Sequence, residues 1–229
     1  MGKASGIGII IVAAGKAERM GATGKILAPL GGKPVLAWPV DICQQNDLVE
    51  QIVITLNNNN LKQGQKLKEE RAWSKAAICL GGARRQDSVK EGLHKLKYCD
   101  WVIIHDGARP FLTLDLIQNG LEAAKETGAA VAAVPVKDTI KFADDHGLVT
   151  ETPQRNKLWI AQTPQIFSFD VINEAYRKLI TEVTDDAAAV KLLGCEVKLY
   201  PGNYSNIKIT TPEDLALAEI IVQDMLRTK

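Results

Sequence analysis

The chain has 229 residues, 28 basic and 27 acidic side chains, and a formal net charge of +1 at pH 7. That length fits one large domain or two small ones, and the balanced charge excludes the basic excess of a nucleic-acid-binding protein, so any anion site must be a local cluster. No apolar run approaches membrane-spanning length, and the short apolar start, soon followed by Glu18, is neither a secretory signal nor a transit peptide.

Met1 to Gly6 reads as a leader, and the β-branched run Ile7 to Val12 as a buried strand. The strand empties into Ala13-Ala14-Gly15, and the loop beyond delivers Arg19 and Lys25. Small residues let backbone N–H groups approach an anion while the cations neutralise it. A Walker loop is excluded, because Arg19 stands where its first glycine belongs and Ile26 follows Lys25. The dinucleotide fingerprint fails because Gly15 has no glycine two residues on. A solvated surface loop with incidental cations is the competing reading of this segment.

Pro34 to Gln45 has helical spacing, which Pro39 should kink or shorten. Gln51 to Leu56 reads as a strand, Leu61 to Arg71 as a polar helix, and Ala76 to Leu80 as a strand ending in Gly81-Gly82. Asp87 to Leu96 is helical, Trp101 to Ile104 is a buried strand running into His105-Asp106, and Thr113 caps the next helix. Ala129 to Val136 is a further strand. This β-α-β-α order implies a doubly wound, mostly parallel sheet flanked by helices, whose ligands bind outside the carboxyl ends of the strands. Gly15, Gly81-Gly82, Asp106 and Pro135 gather at those ends.

The segment from about 137 to 160 reads as a hairpin arm projecting from the sheet, its turn at 143–147. With few apolar partners in its own chain, it is expected to pack on a second subunit, making a homodimer. Asp170 to Ile180 and Asp185 to Leu193, the latter capped by Thr184, read as helices. Glu196 to Tyr200 and Asn206 to Ile209 read as strands, and Thr211-Pro212-Glu213-Asp214 opens the last helix. One domain spanning 1–229 with an arm is the simplest parse. The four cysteines at 43, 79, 99 and 195 form no CxxC pair, which suits reduced thiols in a cytoplasmic protein. The three histidines are too scattered for a metal motif.

In the HDGARP segment at 105–110, Asp106 stands where a carboxylate can hold Mg²⁺ beside phosphates, and Arg109 can grip a second phosphate. The alternative is that these two simply pair across a turn. Gly81-Gly82 allows close approach to the edge of a base, with Ser88 as a hydrogen-bonding group, though Asp87 and Ser88 also make an ordinary helix start. Lys208, between two isoleucines in a strand, faces either solvent or a pocket.

Taken together these segments resemble the 2-C-methyl-D-erythritol 4-phosphate cytidylyltransferase family. The matching pieces are AAGKAERM, GK at 24–25, GG at 81–82 with DSV at 87–89, HDGARP, PVKDTI, LWIAQTPQIF, TDDAAAV, NIKIT and TPEDLALAE, in the family's order over nearly the whole chain. The resemblance implies a Rossmann-like nucleotidyltransferase fold, a homodimer joined by the arm, and CMP transfer from CTP to 2-C-methyl-D-erythritol 4-phosphate with release of pyrophosphate and Mg²⁺ as cofactor. It assigns catalysis to Arg19, Lys25 and Lys208, and nucleotide contacts to Ala13, Ala14, Gly15, Gly82, Ser88 and Asp106. Asp106 would serve the metal indirectly, the ion being held mainly by CTP phosphates. Arg109, Thr139, Arg155 and Thr163 would bind the second substrate, some across the dimer. Gly24, Gly107 and Ala83 depart from the family's usual proline, alanine and acidic residue. Two rivals share these motifs: a ribitol or ribulose 5-phosphate cytidylyltransferase, and a non-catalytic nucleotide-binding regulator.

Overall fold

The computed structural model describes residues 6–15 and 25–227. The first strand, β1 (Ile7–Ala13), is buried almost throughout. A two-strand hairpin, β2 (Pro29–Leu30) and β3 (Lys33–Pro34), precedes helix α1 (Ala37–Gln45). Then come β4 (Val49–Leu56), α2 (Asn58–Glu70), β5 (Ala76–Leu80), α3 (Arg85–Lys95), β6 (Trp101–Asp106), α4 (Leu114–Thr127) and β7 (Ala129–Pro135). The short arm strands β8 (Phe142–Ala143) and β9 (Val149–Glu151) lead through a 3₁₀ turn, Arg155–Lys157, into β10 (Trp159–Ser168). Helices α5 (Phe169–Lys178) and α6 (Asp186–Leu192), strand β11 (Lys198–Pro201) and helix α7 (Pro212–Arg227) complete the chain.

Seven strands form one sheet in the order β11-β7-β10-β6-β1-β4-β5. All neighbours are parallel except β10, which runs antiparallel between β6 and β7. The pleat sends alternate residues to opposite faces. Ile9 and Ile11 pack with Leu36, Ala37 and Val40 at the start of α1 and with Ile117 of α4. Ile10 packs on the other face with Val89 of α3, Ile172 of α5 and Val190 of α6. A smaller cluster joins the β2–β3 hairpin to α7 through Leu30, Val35, Ala218 and Val222. Among the described residues, no helix is long and apolar enough to cross a membrane.

Several expectations are corrected. The helix expected from Pro34 begins at Ala37 and places Pro39 in its first turn, where no intrahelical N–H bond is lost and no kink is needed. Asn206 to Ile209 forms no strand; Ile209 N–H instead donates to the Ala108 carbonyl. The side-chain cap of α6 is Asp185, whose carboxylate accepts from Ala188 N–H at 2.9 Å, rather than Thr184. Gln162, Thr163, Pro164 and Gln165 interrupt the apolar pattern of β10, so the spacing predicts no strand there, yet its burial runs from Gln162 to Phe167. The β2–β3 hairpin also escaped notice. Gly31 and Gly32, with φ of 54° and 82°, make its tight turn in a left-handed conformation that suits glycine.

That hairpin follows directly on the segment bearing Lys25 and is tied to α7 by Glu219, which accepts from Gly31 N–H at 3.2 Å, and to α1 by Asp41. Asp41 of α1 accepts from Lys33 Nζ at 2.6 Å, from Arg71 Nη2 at 2.6 Å and from the buried Trp73 indole at 2.9 Å. Burial would raise the Asp41 pKa, but the bonds from Arg71, Lys33 and Trp73 outweigh it and lower the carboxyl below its ordinary 3.8. Its contribution to stability is therefore present above about pH 4 and lost as pH falls through the native value. Asp41→Ala is expected to lose about 2 kcal/mol at pH 7. Denaturant titrations at pH 7 and pH 3 check both points, because the gap between variant and wild type should narrow in acid.

Candidate active site

Three strand ends meet at the carboxyl edge of the sheet. The β1 end supplies Ala13, Ala14 and Gly15, and Ala14 stays close to the turn after β5 because Gly81 separates them: a Cβ on Gly81 would collide with that of Ala14 and lie 2.7 Å from Ser88 Oγ. Gly82 N–H donates to Ser88 Oγ at 3.1 Å, and Ser88 Oγ donates to the Arg84 carbonyl at 3.2 Å. Asp87 caps α3 by accepting from Arg84 N–H at 3.1 Å. The cap and the cleft therefore coexist: Asp87 serves the helix, and the buried Ser88 hydroxyl braces the glycine turn at the cleft wall. These loops, with Lys25 and Lys208, border a cleft of about 140 Å³ that opens to solvent.

A second cavity adjoins the first. Thr163, Gln162 and Gln165 of β10 border it, together with Arg109 and Asp185. Arg85, Asp106 and Lys208 line both cavities.

Asp106 ends the buried β6, with its side chain 8 % exposed. A carboxylate so placed must be compensated, and three cations surround it: Lys208 Nζ at 2.8 Å, Arg85 Nε at 3.2 Å and Arg109 Nε at 3.7 Å. Burial pushes the Asp106 pKa up, but Arg85 and Lys208 pull it well below the usual carboxylate range, so it is ionised at neutral pH. Its backbone N–H donates to Thr163 Oγ1 at 3.0 Å, registering β10 against β6. The Thr163–Pro164 peptide is cis.

Most of the expected site residues converge here. Ala13, Ala14, Gly15, Lys25, Gly82, Ser88, Asp106 and Lys208 border the first cavity, and Arg109 and Thr163 the second. Lys208 enters the pocket rather than solvent. Arg109 lies in ion-pair range of Asp106, as the turn-pairing reading expects, and donates to the Asn206 carbonyl at 2.7 Å. Thr139 and Arg155 lie on the arm and border neither cavity of their own chain; Arg155 donates to the Lys137 carbonyl at 2.6 Å. Arg19 and Gly24 lie outside the described residues. Ala83 borders the first cavity, and a Cβ on Gly107 would lie 2.9 Å from that of Ala13.

Arg85 escaped the sequence reading, although a signal was present. On a helix, Arg85 shares a face with the apolar Val89, whereas Arg84 lies beside the charged Asp87. Asp186 was also missed, because a carboxylate in the first turn of a helix ordinarily faces water.

A doubly wound sheet with glycine turns, a buried carboxylate and lysines at its carboxyl edge defines the α/β nucleotidyltransferase class. The family model for 2-C-methyl-D-erythritol 4-phosphate cytidylyltransferase matches residues 7–224. The protein of that name from Dehalococcoides mccartyi strain 195 is 51 % identical over 95 % of this chain and 96 % of its own. The one from Alkaliphilus oremlandii is 43 % identical over 94 % of each chain. Among solved structures, 4-diphosphocytidyl-2C-methyl-D-erythritol synthase from Anaerococcus prevotii superposes with a TM-score of 0.86 at 30 % identity, covering 96 % of this chain and all of that one. The cytidylyltransferase from Thermus thermophilus gives 0.77 at 30 % identity, covering 95 % and 99 %. The chain belongs to the 2-C-methyl-D-erythritol 4-phosphate cytidylyltransferase family.

One buried group beside the cleft makes the site's acid tolerance predictable. His105 Nε2 donates to the Arg109 carbonyl at 3.0 Å, leaving Nδ1 to accept from the Thr163 hydroxyl at 3.1 Å. Burial pulls its pKa from an ordinary 6.5 to about 4, so the native ring is neutral at pH 7. The unfolded chain binds the proton first, so stability falls as pH drops from 6.5 towards 4. His105→Gln should flatten this part of the stability–pH curve, as urea titrations across that range will show.

Proposed function

We propose that this chain transfers CMP from CTP to 2-C-methyl-D-erythritol 4-phosphate, giving 4-diphosphocytidyl-2-C-methyl-D-erythritol and pyrophosphate. The observation that carries the reading is the meeting of two cavities at Asp106, Lys208 and Arg85. A nucleotide fits the glycine-walled cleft, a sugar-alcohol phosphate fits the polar one, and the reacting phosphates meet at the cations between them.

An oxygen of the phosphate monoester attacks the α-phosphorus of CTP, and the bond to the bridging oxygen breaks, with pyrophosphate leaving on that electron pair. The monoester is largely ionised at neutral pH, so no general base is required. The difficulty is bringing one anion against another, which makes catalysis a matter of positioning and charge neutralisation. Lys25 and Lys208 flank the α-phosphate and stabilise the five-coordinate transition state. Arg19 binds the β- and γ-phosphates, while Arg109 and Thr163 orient the sugar phosphate. Gly82 and Ser88 set the wall against the base.

Mg²⁺ fits this arrangement as an ion carried by the nucleotide. Among the described residues no group of three or more His, Cys, Asp or Glu side chains is placed to hold a metal, whereas Mg²⁺ commonly takes one or two carboxylates plus substrate phosphates. Asp106 would be the protein's contribution, and the ion would offset phosphate charge as pyrophosphate departs.

The reading extends to a homodimer of one-domain subunits working in the cytoplasm. Phe142, Leu148, Val149, Trp159 and Ile160 on and beside the arm are 43–67 % exposed, an apolar surface suited to a second copy. Contact there would carry Thr139 and Arg155 towards a neighbouring cleft. The four free cysteines suit a reducing compartment. Sedimentation at micromolar concentration should give twice the chain mass; a monomer would count against the assembly.

The test of the reaction is pyrophosphate release with CTP, Mg²⁺ and 2-C-methyl-D-erythritol 4-phosphate, with ribitol and ribulose 5-phosphates in parallel. Release with the first alone is expected. Release only with the pentose compounds would overturn the substrate, and CTP binding without release from any of them would favour the regulator. In the same assay Lys25→Ala should lose about 3 kcal/mol of transition-state stabilisation, or about 100-fold in kcat, as for a removed oxyanion donor; near-wild-type turnover would remove Lys25 from the mechanism.

A further inference from the structure

The cations around Asp106 are held very differently. Lys208 reaches it at 2.8 Å from the irregular segment between β11 and α7, with its side chain 37 % exposed. Arg85 is fixed at both ends of its guanidinium. Nε donates to Asp106 Oδ1 at 3.2 Å, and Nη2 donates to Asp186 Oδ2 at 2.8 Å. The Asp186 side chain is fully buried, and its Oδ1 accepts from the Tyr176 hydroxyl at 2.6 Å. Asp186 opens α6 and Tyr176 lies in α5, and neither borders the cavities at Asp106. A buried ion pair is weak evidence for stability, since apolar residues of similar volume often serve as well, and its use in fixing geometry has to be argued case by case.

Here the chain of contacts Tyr176–Asp186–Arg85–Asp106 ends on the carboxylate that also holds Lys208. We propose that Arg85 is a positioning residue, pinned by Asp186 and Tyr176, that keeps Asp106 paired and in place while Lys208 leaves it for the reacting phosphate. The proposal rests on the cytidylyl-transfer reading above. With Arg85 present, the departure of Lys208 leaves no uncompensated buried charge. Without it, only Arg109, at 3.7 Å, remains beside Asp106 when Lys208 departs, and each turnover must leave a buried carboxylate poorly compensated. The cost falls on the step in which Lys208 meets the transition state, and therefore on kcat rather than on CTP binding.

Arg85→Gln alone would strand Asp186 and destabilise the fold, so the decisive variant is the double Arg85→Gln/Asp186→Asn, which removes both charges at nearly constant shape. Thermal unfolding, kcat and the KM for each substrate are measured on it, on Arg85→Lys and on Tyr176→Phe, with wild type alongside. The double variant should melt close to wild type yet lose about tenfold or more in kcat, with the KM for CTP within about threefold, as expected for an interaction realised in the transition state. Arg85→Lys should recover part of that kcat, and Tyr176→Phe should show a smaller loss of the same kind. A double variant that regains both stability and wild-type kcat, or a loss confined to the KM for CTP, would overturn the proposal. If the double variant does not fold, unchanged kcat in Tyr176→Phe overturns it and the predicted smaller loss supports it. A wild type that releases no pyrophosphate would instead fail the reaction itself.

Discussion

The site is organised around a negative charge that the fold has taken out of water. Asp106 ends a strand whose other residues are almost wholly apolar or buried, and an unpaired carboxylate there would cost several kcal/mol. Its compensation draws on distant parts of the chain: Arg85 from the start of α3, Arg109 from the turn after β6, and Lys208 from the approach to α7. Each segment must arrive for the strand end to be tolerable. The assembly of the site and the pairing of this charge are therefore largely one event.

The same requirement explains the odd strand of the sheet. β10 runs against its neighbours and breaks its apolar pattern with Gln162, Thr163 and Gln165, all buried. Each has a polar partner. Thr163 accepts from Asp106 N–H. Gln165 donates to Asp185 at 2.8 Å and accepts from Ala187 N–H at 3.0 Å. Gln162 donates to the Asn203 carbonyl at 2.9 Å. Polar residues in the sheet thus dock α6 and the segment before Lys208, work that side chains of a purely apolar strand could not do.

What the sequence disclosed follows from this division. Period-two and helical apolar patterns located β1, β4, β5, β6, β7 and α4, because their burial is simple. Glycine turns and the strand-end Asp106 pointed to the edge where the two cavities lie, because the rule for open parallel sheets concerns topology rather than particular contacts. Strand β10 and the pair Arg85–Asp186 stayed hidden for one physical reason: their polarity is satisfied by partners up to 101 residues away, and nothing local marks a buried polar residue whose partner is remote. Asn206 to Ile209 misled in the opposite sense. Its alternation looks like a strand, yet its role is to place a lysine from irregular backbone.

The antiparallel course of β10 has a consequence for how such a protein can diversify. Trp159 pairs with Pro135, so the excursion from 136 to 158 leaves the sheet and rejoins it at the edge that holds the cleft. Its length and composition can change without shifting the register of the seven-stranded sheet, because both anchor points stay fixed. The nucleotide wall is built elsewhere, from the ends of β1 and β5. The arm and the glycine-walled cleft are consequently built from separate pieces of chain, and one can drift while the other is kept.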